Sequence, residues 1–309
     1  MNTTRTPAGE GAPTRWLLAV DGSPHSNQAA QYVARWAGAL GVEEVCILNA
    51  QPIESYRAYA LNRDRMLQDA TEHAAKATAF ARQALDSANV RYRLQNSFAE
   101  PAEAICDAAR AQRASEIVLG TRGHGALTSL VLGSIAYKVI HLASEVVTVI
   151  PHSDDATEGA SSTNRQPLHR VLLCVDGSPT AQRAVDYVSG LAGTTATPIE
   201  AHLVNVRAPV MPRTGVGAAS FEDIDRAGRD GGEAVLRAAE KSLAAAGIRF
   251  QSHLVIGQVA DSIDELGTTQ RCARVILGSR GLSAMKHLAL GSVAYQVIHH
   301  ASLPVTVVK

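Results

Sequence analysis

The chain repeats itself. Residues 116–150 laid on 274–308 give 19 identities in 35 gap-free positions, and 15–38 laid on 170–193 give 13 in 24. The two offsets, 158 and 155, differ by only three residues. Agreement in two separated stretches identifies two copies of one structural unit, so a fold assigned to one copy must serve the other. At 309 residues there is length for two domains, each able to bury its own core. The expected layout is a disordered leader over residues 1–14, a first domain over 15–151, a linker over 152–168 and a second domain over 169–309. The leader is polar and rich in Gly and Pro, without the apolar centre of a signal peptide. The linker is polar and poor in apolar residues.

Within each copy, short apolar runs alternate with segments of helical period. In copy one, strands are expected at 16–20, 44–50, 92–95, 117–119 and 146–150. Helices are expected at 26–39, within 55–85, at 101–111 and from 135 to 143. Copy two repeats the order, with helices at 181–191, 231–246 and 260–266. Such alternation implies α/β architecture: two tandem doubly wound domains, each a parallel sheet covered on both faces. In such sheets ligands bind beyond the carboxyl ends of the strands, where the winding reverses.

Composition narrows the function. Hydrophobic residues make up 46% and charged residues 19%, as in a soluble globular protein; aromatics are only 4%, so the cores must be aliphatic. Twenty-nine basic residues balance 29 acidic ones, which argues against a non-specific nucleic-acid or anionic-membrane binder. No apolar run reaches membrane-spanning length. The four cysteines form no CxxC pair, and Cys46 and Cys174 sit in apolar runs, so buried thiols in a reducing cytoplasm are expected.

The chemistry concentrates in one device, present twice. An apolar strand ends at Leu119-Gly120-Thr121-Arg122-Gly123, nine residues follow, and Gly133-Ser134 opens a helix. Copy two has Gly278-Ser279-Arg280-Gly281, nine residues, then Gly291-Ser292. Strand, glycine loop and helix N-terminus together can cradle phosphate: glycines admit close backbone approach, and free helix N–H groups point at the anion. The plainer reading is a turn followed by a capped helix. Reproduction of spacing and context in both copies favours a ligand. The loop is not a Walker P-loop, since no Lys follows the last glycine.

Asp21 and Asp176, each in Val-Asp-Gly-Ser-Pro, end the first strand of each copy. Each is either a turn residue capping the next helix or a carboxylate able to hold a ribose hydroxyl, a base nitrogen or a phosphate-bound cation. Arg122 and Arg280 could pair with phosphate, or project into solvent. His141 aligns with His299, which suits packing near a helix C-terminus better than metal ligation. No metal-ligand spacing and no Ser-His-Asp set can be assembled.

These motifs, with the closing Ala-Ser-Leu-Pro-Val-Thr-Val-Val at residues 301–308, resemble the universal stress protein family in its ATP-binding, tandem two-domain form. The resemblance covers nearly the whole chain outside the leader and linker. It implies five-stranded parallel sheets of order 3-2-1-4-5, the adenine nucleotide alpha hydrolase-like arrangement. It also implies ATP, or AMP or ADP, with or without magnesium, between the ends of strands one and four. By the same resemblance Asp21 and Asp176 approach ribose or adenine, and Ala50 and Val206 contact adenine. Gly120, Gly123, Gly133 and Ser134, with Gly278, Gly281, Gly291 and Ser292, hold ribose and phosphates. Two departures stand in copy one: Ala99 where copy two has Gly257, and Glu145-Val146 where copy two has Leu303-Pro304. The resemblance further implies edge-to-edge pairing of the two fifth strands as an intramolecular pseudo-dimer, which would cover two exposed edges; a homodimer of whole chains remains open. The function expected is that of a nucleotide-binding stress-response sensor or regulator. Its rivals are a slow ATPase and a structural dimerisation module with vestigial sites.

Overall fold

The computed structural model describes residues 14–52, 63–121, 132–151, 169–193, 195, 197–209, 218–282 and 290–309. In the first half, strands β1 (Arg15–Ala19), β2 (Glu44–Ala50), β3 (Tyr92–Ser97), β4 (Glu116–Gly120) and β5 (Val146–Ile150) alternate with helices α1 (Pro24–Trp36), α2 (Arg63–Ser87), α3 (Pro101–Gln112) and α4 (Ser134–Leu142). The second half runs β6 (His169–Cys174), α5 (Pro179–Leu191), β7 (Ile199–Arg207), α6 (Ala218–Ala245), β8 (Arg249–Ile256), α7 (Val259–Thr269), β9 (Arg274–Gly278), α8 (Ser292–His300) and β10 (Val305–Val308).

Some boundaries differ from expectation for local reasons. Helix α1 starts at Pro24 because the Ser23 hydroxyl accepts the Ser26 N–H at 3.2 Å and proline suits a first helical position. Helix α6 begins well before residue 231, running through Gly228, Gly231 and Gly232, which read as breakers. Space explains two of them. The Arg207 guanidinium packs where a Cβ at Gly228 would sit, and a Cβ at Gly232 would come 2.6 Å from the Leu254 side chain.

The ten strands form one sheet of order β3-β2-β1-β4-β5-β10-β9-β6-β7-β8. Each half therefore has the order 3-2-1-4-5, parallel throughout. The halves meet where β5 and β10 pair antiparallel, with Thr148 opposite Thr306. The expected edge-to-edge pairing is present, and both fifth strands become interior strands.

Alternation along the strands separates two faces. On one, Leu17, Ile117, Val147, Val307, Val275 and Leu172 belong to a single aliphatic core that crosses the seam beneath α3, α4, α7 and α8. On the other, the cores are separate: Leu18, Val118 and Ile150 lie with α1 and α2, while Leu173, Ile276 and Val308 lie with α5 and α6. Between these two cores lies a buried polar group that includes Glu116, Thr148, Arg274 and Thr306.

The first turn of α1 rests on the end of β4, and that of α5 on the end of β9. A Cβ at Gly120 would stand 2.7 Å from the His25 carbonyl carbon. One at Gly278 would stand 2.6 Å from the Thr180 carbonyl carbon and 2.7 Å from the Ala181 nitrogen. Backbone meets backbone, so only glycine fits.

Two predictions come from this packing. Gly120→Ala and Gly278→Ala should each lower unfolding free energy by about 2 kcal/mol or more in urea titrations. Gly190→Ala, in α5 with open space around it, should be neutral or stabilising by up to about 1 kcal/mol; equal losses at all three sites would contradict the close-approach account. The second concerns His169, fully buried and edge-on to Trp36 of the other half, ring centroids 4.3 Å apart. Burial, then the Arg274 and Arg35 cations, lowers its pKa from 6.5 to about 3. The folded chain keeps this ring neutral, whereas the unfolded chain protonates first as pH falls. Its share of stability is therefore complete above 6.5 and is lost toward about 3, at up to ~1.4 kcal/mol per pH unit. His169→Phe should remove that part of the slope in urea unfolding between ~pH 7 and ~pH 4; parallel slopes in variant and wild type would contradict the assignment.

Candidate functional site

The winding reverses between β1 and β4 in the first half and between β6 and β9 in the second. Their carboxyl ends are where the sequence concentrates its polar and glycine residues. Asp21 and Asp176 lie two residues past the ends of β1 and β6, and each is followed by a glycine at φ 82° (Gly22 and Gly177), a left-handed turn that glycine adopts without strain. The Asp21 Oδ1 accepts the Ser23 N–H at 3.0 Å, and the Asp176 Oδ1 accepts the Ser178 N–H at 2.9 Å. The turn half of that reading is therefore present in both copies, while Ser23 and Ser178, not the aspartates, cap the helices.

In the second half the carboxylate does more. Asp176 Oδ2 accepts the Leu282 N–H at 3.3 Å, and a Cβ at Gly281 would come within 2.7 Å of that same oxygen. The aspartate braces the glycine loop against the β6–α5 turn. The loop is held from below as well: the Arg280 carbonyl accepts the Ser178 hydroxyl at 3.2 Å and the Thr180 hydroxyl. Thr180 aligns with His25 in the first half, so the two mouths are built on one plan with different fittings.

From the loop a short run of backbone hydrogen bonds leads to the last helix. Ser279 N–H donates to the Val308 carbonyl at 2.7 Å, and Gly291 N–H donates to the Ser279 carbonyl at 2.7 Å. The first half repeats this: Thr121 to Ile150 at 3.0 Å and Gly133 to Thr121 at 2.7 Å. Gly133 and Gly291 are the N-caps of α4 and α8, and neither helix has a side-chain cap, whereas Ser23, Glu100 and Ser178 cap α1, α3 and α5. Uncapped first-turn N–H groups carry the positive end of the helix dipole and favour an anion there. Ser134 and Ser292, the first helical residues, are exposed.

The loop residues Gly281, Arg280 and Gly291 come together: a Cβ at Gly291 would lie 3.3 Å from the Arg280 Cα and 3.5 Å from the Gly281 nitrogen. Gly120 and Gly278 end their strands under the first turns of α1 and α5. Ala50 and Val206 lie at the ends of β2 and β7, one strand away from the aspartates and partly exposed. Arg122 and Gly123 lie outside the described residues. Among the described residues no group of three His, Cys, Asp or Glu side chains could hold a metal.

One pair escaped the sequence reading. Asn49 and Asn205, both buried, donate through Nδ2 to the Val20 and Val175 carbonyls at 2.8 and 2.7 Å. Each ties strand two to the end of strand one immediately before the aspartate. The signal was available: a polar residue interrupts an apolar run just before Ala50 and Val206 in both copies. The histidines behave as expected of packed residues. His141 and His299 lie against Tyr137 and Tyr295 with tilted rings, centroids 4.2 Å apart in each helix.

Comparison with known proteins agrees with this architecture. The sequence model of the universal stress protein family matches residues 14–151 and again 167–309. A universal stress protein of Mycolicibacterium smegmatis is 28% identical over 304 residues, covering 95% of this chain and 96% of that one. One from Thermus aquaticus is 36% identical over 127 residues, covering 40% of this chain and 88% of its own length. The crystal structure of a universal stress protein from Archaeoglobus fulgidus superposes with a TM-score of 0.65 at 22% identity, covering 96% of this chain and 98% of that one, which shows a shared fold. The chain belongs to the universal stress protein family, as two copies of the family's domain in tandem.

Proposed function

We propose that each half binds one adenine nucleotide, ATP or its mono- or diphosphate relatives, at the mouth between its first and fourth strands, and that occupancy of the two mouths makes the chain a stress-response sensor or regulator. The observation that carries this reading is the glycine cap of α4 and α8. Both helices start at glycines with no side-chain cap, and those glycines bond back to Thr121 and Ser279, just past strands that border the winding reversal. In this reading Gly120, Gly123, Gly133 and Ser134, with Gly278, Gly281, Gly291 and Ser292, supply backbone and hydroxyl donors to ribose and phosphates. Arg122 and Arg280 add positive charge, Asp21 and Asp176 accept from ribose or adenine, and Ala50 and Val206 form the apolar floor for the base. Magnesium, if it enters, would come with the phosphates.

Binding is favoured over hydrolysis. Both Asp176 oxygens already accept backbone N–H groups, which suits a brace better than a residue that positions water. The four cysteines are free thiols, which supports residence in a reducing cytoplasm. No described helix is long and apolar enough to cross a membrane.

Calorimetric titration of ATP tests the reading. Wild type should bind ATP, and a Gly133→Val, Gly291→Val double variant, confirmed folded by circular dichroism, should bind at least ~10-fold more weakly, a loss of ~1.4 kcal/mol per site. Equal affinity in the two proteins would end the proposal.

A further inference from the structure

The two halves have diverged in charge at one buried position, and that position faces its own counterpart across the seam. Glu116 and Arg274 occupy equivalent places in the repeat, as do Thr148 and Thr306, and Tyr32 and Tyr187. Glu116 is 1% exposed and Arg274 0%, and Arg274 Nη1 lies 3.4 Å from Glu116 Oε1. The Thr148 hydroxyl donates to Glu116 Oε1 at 2.5 Å and meets the Thr306 hydroxyl at 2.8 Å. Each tyrosine reaches across to the other half. The Tyr187 hydroxyl donates to Glu116 Oε2 at 2.6 Å, and the Tyr32 hydroxyl accepts from Arg274 Nη1 at 3.4 Å. Burial raises the pKa of both phenols, so they stay protonated.

Pairing energy alone does not account for this cluster. Arg274 Nε and Nη2 are buried with no hydrogen-bond partner among the described residues. A buried ion pair with unsatisfied donors stabilises poorly compared with apolar residues of the same size, because desolvation offsets attraction. Threonines and tyrosines are kept the same in both copies, yet the charged position has opposite signs. Selection of partner explains that pattern. In a like-with-like seam, two first halves would bury two carboxylates around paired threonines, and two second halves would bury two guanidiniums.

We propose that the Glu116–Arg274 pair is a partner-selecting contact: the β5 face of the first half fits only the β10 face of a second half, and like halves are excluded from each other. The fitting partner is the other half of the same chain, or of a second copy that exchanges unlike halves. This does not depend on what the mouths bind, since the pair lies at the amino ends of β4 and β9, the opposite edge of the sheet.

Charge reversal in the full chain tests it. Glu116→Arg buries two guanidiniums at the seam and Arg274→Glu buries two carboxylates; each should lower the urea midpoint by about 1 M or more. The double variant, with the charges exchanged, should recover more than half of either loss. If a single variant does not fold, co-refolding supplies the second measurement. An equimolar mixture of the Glu116→Arg and Arg274→Glu chains, diluted from urea, should yield a folded two-chain species by native mass spectrometry, because every seam in an exchanged dimer then pairs opposite charges. A double variant no more stable than the weaker single one, or a mixture that behaves as the sum of its components, would overturn the proposal.

Discussion

In each half the end of strand four has to touch the backbone of a helix's first turn, and the rest of the mouth is arranged around that contact. With Gly120 against His25 and Gly278 against Thr180, the strand end and the helix start share one position with no side chain between them. The glycine loop that leaves this point is anchored to the fifth strand through Thr121 or Ser279, and the last helix is anchored to the loop through Gly133 or Gly291. Because these are main-chain hydrogen bonds, side-chain drift around them leaves the geometry intact. That is how His25 can stand where the second half has Thr180 while the neighbouring glycine keeps its place.

The seam follows a different logic. One face of the ten-stranded sheet is a continuous aliphatic core that crosses from half to half and resembles the inside of one domain. Such a surface provides burial but little selectivity, since Val147 would pack as well against another copy of itself. The opposite face interrupts its cores with a polar group that is symmetric in hydroxyls and antisymmetric in charge. Apolar area holds the halves together, and the charge pattern specifies which halves meet. His169 and Trp36 extend the asymmetry, since their counterparts in the repeat are Thr14 and Leu191.

Most of the fold was legible because two independent signals agreed: alternating strand and helix periods, and a duplication that fixed their register. The order 3-2-1-4-5 and the pairing of the fifth strands came from family resemblance, and the sheet has both. What could not be read depends on distant space. The start of α6 was missed because Gly228 and Gly232 look like breakers until Arg207 and Leu254 are seen against them. At the mouth, the aspartates and glycines announced themselves, while Asn49 and Asn205 passed as ordinary strand residues, since their bonds are to carbonyls of another strand. Glu116 and Arg274 stood at the head of the alignment as a mismatch; only the antiparallel seam brings them face to face. Both Cys46 and Cys174 were expected to be buried, and Cys174 is only partly so.

Native mass spectrometry of the purified chain, before and after nucleotide is added, bears most directly on the central claim that backbone groups at two equivalent mouths hold a charged metabolite. The account predicts a folded protein that carries or takes up as many as two adenine nucleotides per chain, one per half. A chain that stays free of nucleotide at saturating ATP while remaining folded would contradict it.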